Sequence, residues 1–295
     1  MSARARGMAV VQALVLVAAL AAGATALLLR AETARERLQV RFQADQAALY
    51  LDSGVAQVQA LLGDPALAVF AHGAQPWARV RDDVTVRDAR LSWRIEDLQG
   101  RFNVNTLNGS EAKHAAARAG FVRLARAQGL SRAATQRLAN ALGPDAQARA
   151  GLPLPLAHPL QLAPLAGAES DAFARLLPLL AALPEPSPLN INTARDEVLQ
   201  ALLPSVTAAT LAQMQRRLRR APVRDTERFS DWASELIGPE AVARLREIGI
   251  TTGSRSFQAR LAVQLDSLRL ARSVVLTRDG AQGRNRVTLT LPETE

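Results

Sequence analysis

The sequence predicts an α+β chain: a long N-terminal helix packed on an antiparallel sheet, with an α-helical domain inserted between the early and late strands. Three observations carry this reading. A continuous apolar run, Met8 to Leu29, passes without a proline into a helically patterned stretch that ends near Leu62. Alternation of period two appears near residues 84–98 and again beyond residue 257. Between those stretches lies a block of helical patterns cut by prolines.

The first element is the most informative. Arg4 and Arg6 precede the apolar run, which only Gln12, Gly23 and Thr25 interrupt. As a helix the run is roughly 33 Å long, enough for a hydrocarbon core of about 30 Å. The basic residues before it predict that the N-terminus stays in the cytoplasm. Three readings fit: a removable signal peptide cut near Ala22-Gly23-Ala24, a plain signal anchor, or a short basic leader that ends in Gly7 and is cut before Met8. Beyond Glu32, the apolar residues Ala34, Leu38, Phe42, Leu49 and Val55 interleave with Arg35, Glu36, Arg37, Arg41 and Asp45. One helix therefore runs from Met8 to about Leu62, and Gly63-Asp64-Pro65 stops it.

Val84 to Leu98 reads as a strand, with Leu91, Trp93 and Ile95 alternating with Arg90, Ser92 and Arg94. Helices follow over 111–128 and 131–142. A proline-rich connector spans 151–164, and a further helix 169–183. Thr193 to Leu203 reads as a helix, with Thr193 as N-cap and Asp196 completing a capping box. More helices follow over 207–220, 229–236 and 239–246. The tail turns to strands: Phe257 to Leu265, a turn at Asp266-Ser267, Leu268 to Thr277, a turn at Asp279-Gly280, and Val287 to Leu291.

Composition excludes several chemistries. The chain has 295 residues and no cysteine, so disulfides and thiolate metal sites are impossible. Its three histidines, His72, His114 and His158, are far apart in sequence. The net charge of +9 is almost all arginine, Lys113 being the only lysine. That charge is either a surface for nucleic acid or anionic lipid, or the arginine–alanine bias of a GC-rich genome. There is no Gly-rich phosphate loop and no G-x-S-x-G elbow. The pairs Asp82-Asp83 and Glu96-Asp97 are expected to be solvated at strand ends. The reading is of a protein that is not an enzyme.

Two stretches carry a resemblance. Gly100-Arg101-Phe102-Asn103-Val104-Asn105-Thr106-Leu107 is similar to a "GRFN-x-N-x-L" segment, and Leu183-Pro184-Glu185-Pro186-Ser187-Pro188-Leu189-Asn190-Ile191-Asn192-Thr193-Ala194 to an "LPEPTPINVNTA" segment. Both belong to the K-type minor pseudopilins of the type II secretion system. Read from the residues alone, each N-x-N-T places asparagines at a strand-to-helix turn, where they bond local backbone N–H groups. The resemblance implies a pilin-like fold and this organisation: a prepilin leader over 1–7, a transmembrane helix over 8–29, pilin-like segments over 30–109 and 253–295, and an inserted helical domain over 110–252. It implies cleavage between Gly7 and Met8 by a prepilin peptidase and methylation of the new amine. It implies a single pass of the inner membrane with the C-terminal domain in the periplasm, and I- and J-type minor pseudopilins as partners in a tip complex. Most pilins carry Glu at the fifth mature position, thought to pair with the amine of the subunit above. Here that position is Gln12. A carboxylate at membrane depth costs about 2.5–3.5 kcal/mol unless paired, so a subunit with nothing above it has no use for one. Calcium binding is implied by an acidic family stretch, but Leu138 to Asp145 keeps a single carboxylate, leaving Asp145, Glu169 and Asp171 as candidates.

A second resemblance supplies the alternative. Residues 189–236 are similar to a helix-hairpin-helix module, with Leu203-Pro204-Ser205-Val206-Thr207 as hairpin and Arg216, Arg217, Arg219 and Arg220 as charge. That reading makes the chain a DNA-binding membrane protein of a competence or type IV pilus system. The hairpin has no glycine, and Pro204 removes one N–H donor, so the leading reading expects no nucleic acid.

Overall fold

The computed structural model describes residues 3–109, 111–144, 155–184, 186–278 and 284–293, with residues 3–13, 112–113 and 292–293 described by backbone alone. Helix α1 (Ala3–Leu61) is one unbroken rod. Two short helical turns lead from it to strands β1 (Arg81–Val86) and β2 (Ala89–Asp97). The expected single strand over 84–98 is thus a hairpin. Its turn, Arg87-Asp88, has no glycine; Arg87 sits at φ 54°, and Tyr50 Oη and Gln46 Nε2 on α1 both donate to the Asp88 carboxylate.

The insert opens with β3 (Phe102–Asn103) and continues through α2 (Ala112–Ala127), α3 (Arg132–Ala141), α4 (Ala163–Ala166) and α5 (Ser170–Leu176) to β4 (Leu180–Ala181). It then repeats the plan: β5 (Leu189–Asn190), α6 (Asp196–Leu202), α7 (Ala208–Arg220), α8 (Thr226–Ile237), α9 (Pro239–Ile248) and β6 (Ile250–Thr251). Strand β3 pairs in parallel with β4, and β5 with β6. Two helical expectations are corrected here. The helix over 169–183 stops at Leu176, because Leu180-Ala181 is drawn into a strand. The helix over 193–203 begins at Asp196, because the Thr193 hydroxyl donates to Asp97 rather than capping.

Strands β7 (Ser256–Leu265), β8 (Leu268–Arg278) and β9 (Asn285–Glu293) complete an antiparallel sheet of order β1-β2-β7-β8-β9. The turn expected at Asp279-Gly280 lies outside the described residues. Insertion of the helices between β2 and β7, neighbours in the sheet, leaves the sheet itself intact: Leu91, Trp93 and Ile95 stand opposite Val263, Leu261 and Ala259. Their side chains share one face, as period two requires, and bury it against α1 through Ala47, Leu51, Val58 and Leu62. Gly54 lies in that stripe; a Cβ there would come within 2.8 Å of Leu261, so glycine lets rod and sheet approach. Arg278, at the end of β8, donates to the Leu62 and Asp64 carbonyls and so caps the rod's C-terminal end. The insert has its own core, built around Phe121, Leu138, Leu176, Leu199 and Phe229, and Phe102, Val104 and Leu107 belong to it.

Candidate functional site: an unpartnered rod and a buried joint

The rod has two apolar faces. The one under the sheet is filled. The other carries Leu38, Phe42 and Leu49, 65–69% exposed. Of the apolar positions that periodicity singled out, these three face away from the sheet, while Val55 packs against the core beneath it. Further toward the N-terminus, as far as Leu14, nothing among the described residues covers the helix: its most apolar stretch has a mean hydropathy of 2.1, with none of it buried. By length and composition this helix can cross a membrane. Apolar side chains left in water at this density need lipid or protein around them. The backbones of Gly7, Met8 and Gln12 lie in α1, while their side chains lie outside the described residues.

The two asparagine motifs meet where insert and sheet join, and they do more than shape turns. Asn103 Oδ1 accepts from Asn105 N, and Asn190 Oδ1 accepts from Asn192 N, as local turn chemistry predicts. Each second asparagine then clamps distant backbone. Asn105 Nδ2 donates to the Leu156 and Leu183 carbonyls while its Oδ1 accepts from Leu156 N. Asn192 Nδ2 donates to the Val223 and Thr252 carbonyls while its Oδ1 accepts from Val223 N. The same side chain thus performs the same task twice, once in each half of the insert.

Asp97, at the end of β2, is the joint's centre. Its carboxylate accepts from Ser254 Oγ, Thr193 Oγ1 (2.6 Å), Asn190 Nδ2 (2.8 Å) and Gln99 N (2.8 Å). Burial pushes its pKa up from the ordinary carboxylate value, against the pull of those donors. Beside it, burial works to raise Glu96, but the Arg101 guanidinium, with Arg195 behind it, outweighs burial and leaves Glu96 below its ordinary value. The expectation that Glu96-Asp97 is a solvated pair is therefore corrected: the insert folds over it. Asp82 and Asp83 do stay exposed, Asp83 facing Arg90. Gly100 closes the joint. Its carbonyl accepts from Arg195 N, and a Cβ on it would lie 2.3 Å from the Thr193 carbonyl oxygen. The glycine of the first motif is thus pressed against the threonine of the second.

Arg216, Arg217 and Arg220 of α7 line a cavity of about 490 Å³, where Arg217 lies 4.2 Å over the Trp232 ring. They sit at the far end of α7 from the 203–207 hairpin: nine residues separate Thr207 from Arg216, about 13 Å of helix. Within the hairpin, Val206 N is already bonded to the Leu203 carbonyl, and the Val206 carbonyl accepts from Gln200. Hairpin and charge do not converge on one phosphate site. Among the described residues no group of three or more His, Asp or Glu is placed to hold a metal ion. Glu169 binds Ser131 instead, through both its N–H and its hydroxyl, and Asp145 lies outside the described residues.

No protein-family model matches the chain, and no curated protein does. A solved structure does: a chain of the GspK–GspI–GspJ complex from the type 2 secretion system of enterotoxigenic Escherichia coli. It superposes with a TM-score of 0.66 over 88% of this chain and 100% of that one, at 19% identity. The fold is pilin-like. It consists of a long N-terminal helix under a five-stranded antiparallel sheet, with a helical region added.

Proposed function

We propose that the protein is a K-type minor pseudopilin: a membrane-anchored structural subunit that helps start a short periplasmic filament for protein export. The observation that supports this most is the rod. Its bare apolar half fits a membrane and later a filament core, while its other half carries the sheet. The likeness to a chain of a GspK–GspI–GspJ complex points the same way. In this reading a prepilin peptidase cuts between Gly7 and Met8, and the new amine is methylated. The helix holds the protein in the inner membrane with the sheet and insert in the periplasm, and I- and J-type subunits pack on the face that bears Leu38, Phe42 and Leu49. An uncharged Gln12 and a bulky insert both suit a subunit at the tip, with nothing stacked above it.

Mass spectrometry of the mature N-terminus tests this. A chain beginning at methylated Met8, and a Gly7→Trp variant that stays full length, are the expected results. A start near Thr25, or unchanged maturation of the variant, would sink the reading.

A further inference from the structure

On the outer face of the sheet, opposite the rod, cationic charge gathers beneath the insert. Arg101 and Arg195 share the Glu96 carboxylate, and the charge of Arg260 also reaches it. Arg94 stands directly across from Arg260 in the β2–β7 register. Like charges facing each other across strands repel. Four guanidinium groups thus gather round the Glu96 carboxylate.

A cavity of about 160 Å³ lies at this place. Its floor is one row of the sheet, Arg260 opposite Ser273 opposite Leu291. Its roof is insert: Arg101, His158 and the segment from Leu177 to Leu180. The polar lining is rich in donors. Arg101 is 6% exposed and its Nε has no partner, although its other end is bound to Glu96. Ser273 Oγ accepts from Gln258 Nε2, so its hydroxyl hydrogen is free to donate. His158 Nδ1 accepts from Leu160 N, which places the proton of the neutral ring on Nε2. Among the described residues that line the cavity none is a carboxylate. A salt-bridge network explains the end of Arg101 that faces Glu96. It does not explain a buried cationic N–H without an acceptor, which costs the full desolvation of that group.

We propose that this cavity binds a small tetrahedral oxyanion, of the phosphate or sulfate class, held by Arg101 and Arg260 with Ser273 and His158. Guanidinium N–H groups suit such oxygens, and at about 30 Å³ per water the space is ample. The anion bridges insert and sheet, so binding it stabilises their junction.

The test is thermal unfolding of the full chain in detergent micelles, with sodium phosphate, sulfate, acetate or chloride at matched ionic strength. Phosphate and sulfate should each raise Tm by about 3 °C over chloride at saturation. Arg260→Gln should abolish that rise, read against the variant's own Tm in chloride, while the Arg101–Glu96 pair stays in place. Broadening of the phosphate phosphorus resonance by the wild type, lost in the variant, is the second expected readout. An equal rise in acetate would overturn the tetrahedral class. Absence of any rise over chloride, or a rise that survives in R260Q, would overturn the site.

Discussion

The two asparagine clamps have the same local chemistry and different reach. Asn103 and Asn105 close the first half of the insert on itself, binding backbone at Leu156 and Leu183. Asn190 and Asn192 do the same for the second half, but Asn190 Nδ2 also donates to Asp97 and to the Ala71 carbonyl, both in the pilin-like half. The bonds of Asn105 stay within the insert, while Asn190 also ties the insert to the pilin-like half. The same short polar motif thus does two jobs, according to what its spare donor meets.

Asn190→Ala should separate the two most. It leaves Asp97, the Ala71 carbonyl and Asn192 N short of partners in a buried place, a loss of about 4 kcal/mol. Urea unfolding followed by tryptophan fluorescence should then split into two transitions, since Trp77 and Trp93 report the sheet and Trp232 the insert. Gly100→Ala should cost about 3 kcal/mol, because the new Cβ overlaps the Thr193 carbonyl and the backbone must move. Asn105→Ala should cost about 2 kcal/mol, seen in the Trp232 signal while the sheet transition holds its midpoint. If Asn105→Ala and Asn190→Ala cost the same and shift every probe together, the distinction between an internal clamp and a joint fails.

The smallest effect is a pH dependence. Glu96 has its folded pKa below the unfolded value, so its contribution is present above the ordinary carboxylate range and is lost as pH falls through the folded value. Glu96→Gln should cost about 1 kcal/mol near pH 7, since the amide oxygen still accepts from Arg101. That difference from wild type should shrink toward zero as the medium is made acidic. A difference that grows on acidification would mean that Glu96 is not held by its arginines.

Much of the architecture was legible from residue order. The rod, β7, β8 and β9 depend on periodicity over nine or more residues, which neighbours reinforce. The Ser131 and Thr207 caps, bonded to Ala134 N and Thr210 N, are likewise local. The β1–β2 turn was not legible, because Arg87-Asp88 has neither glycine nor proline and its one turn-favouring residue, Asp88, follows an arginine at positive φ. It is held instead from α1, across 38 residues, by Tyr50. Thr193 was misread for the same kind of reason. A cap bond would be local, but a fully buried carboxylate needed its hydroxyl more.

By itself, then, the sequence determined the bare apolar rod, the alternating strands, the glycine and asparagine motifs and the resemblance they carry. These follow from backbone preference and side-chain period, which act between near neighbours. Only the tertiary structure decided which face of the rod the sheet takes, which carbonyls the asparagines bind, and that Glu96 and Asp97 lie under the insert. Those partners stand as far apart as Asp97 and Ser254, 157 residues. A buried hydrogen bond is chosen by whichever donors and acceptors the finished core leaves without water, and nothing local records that.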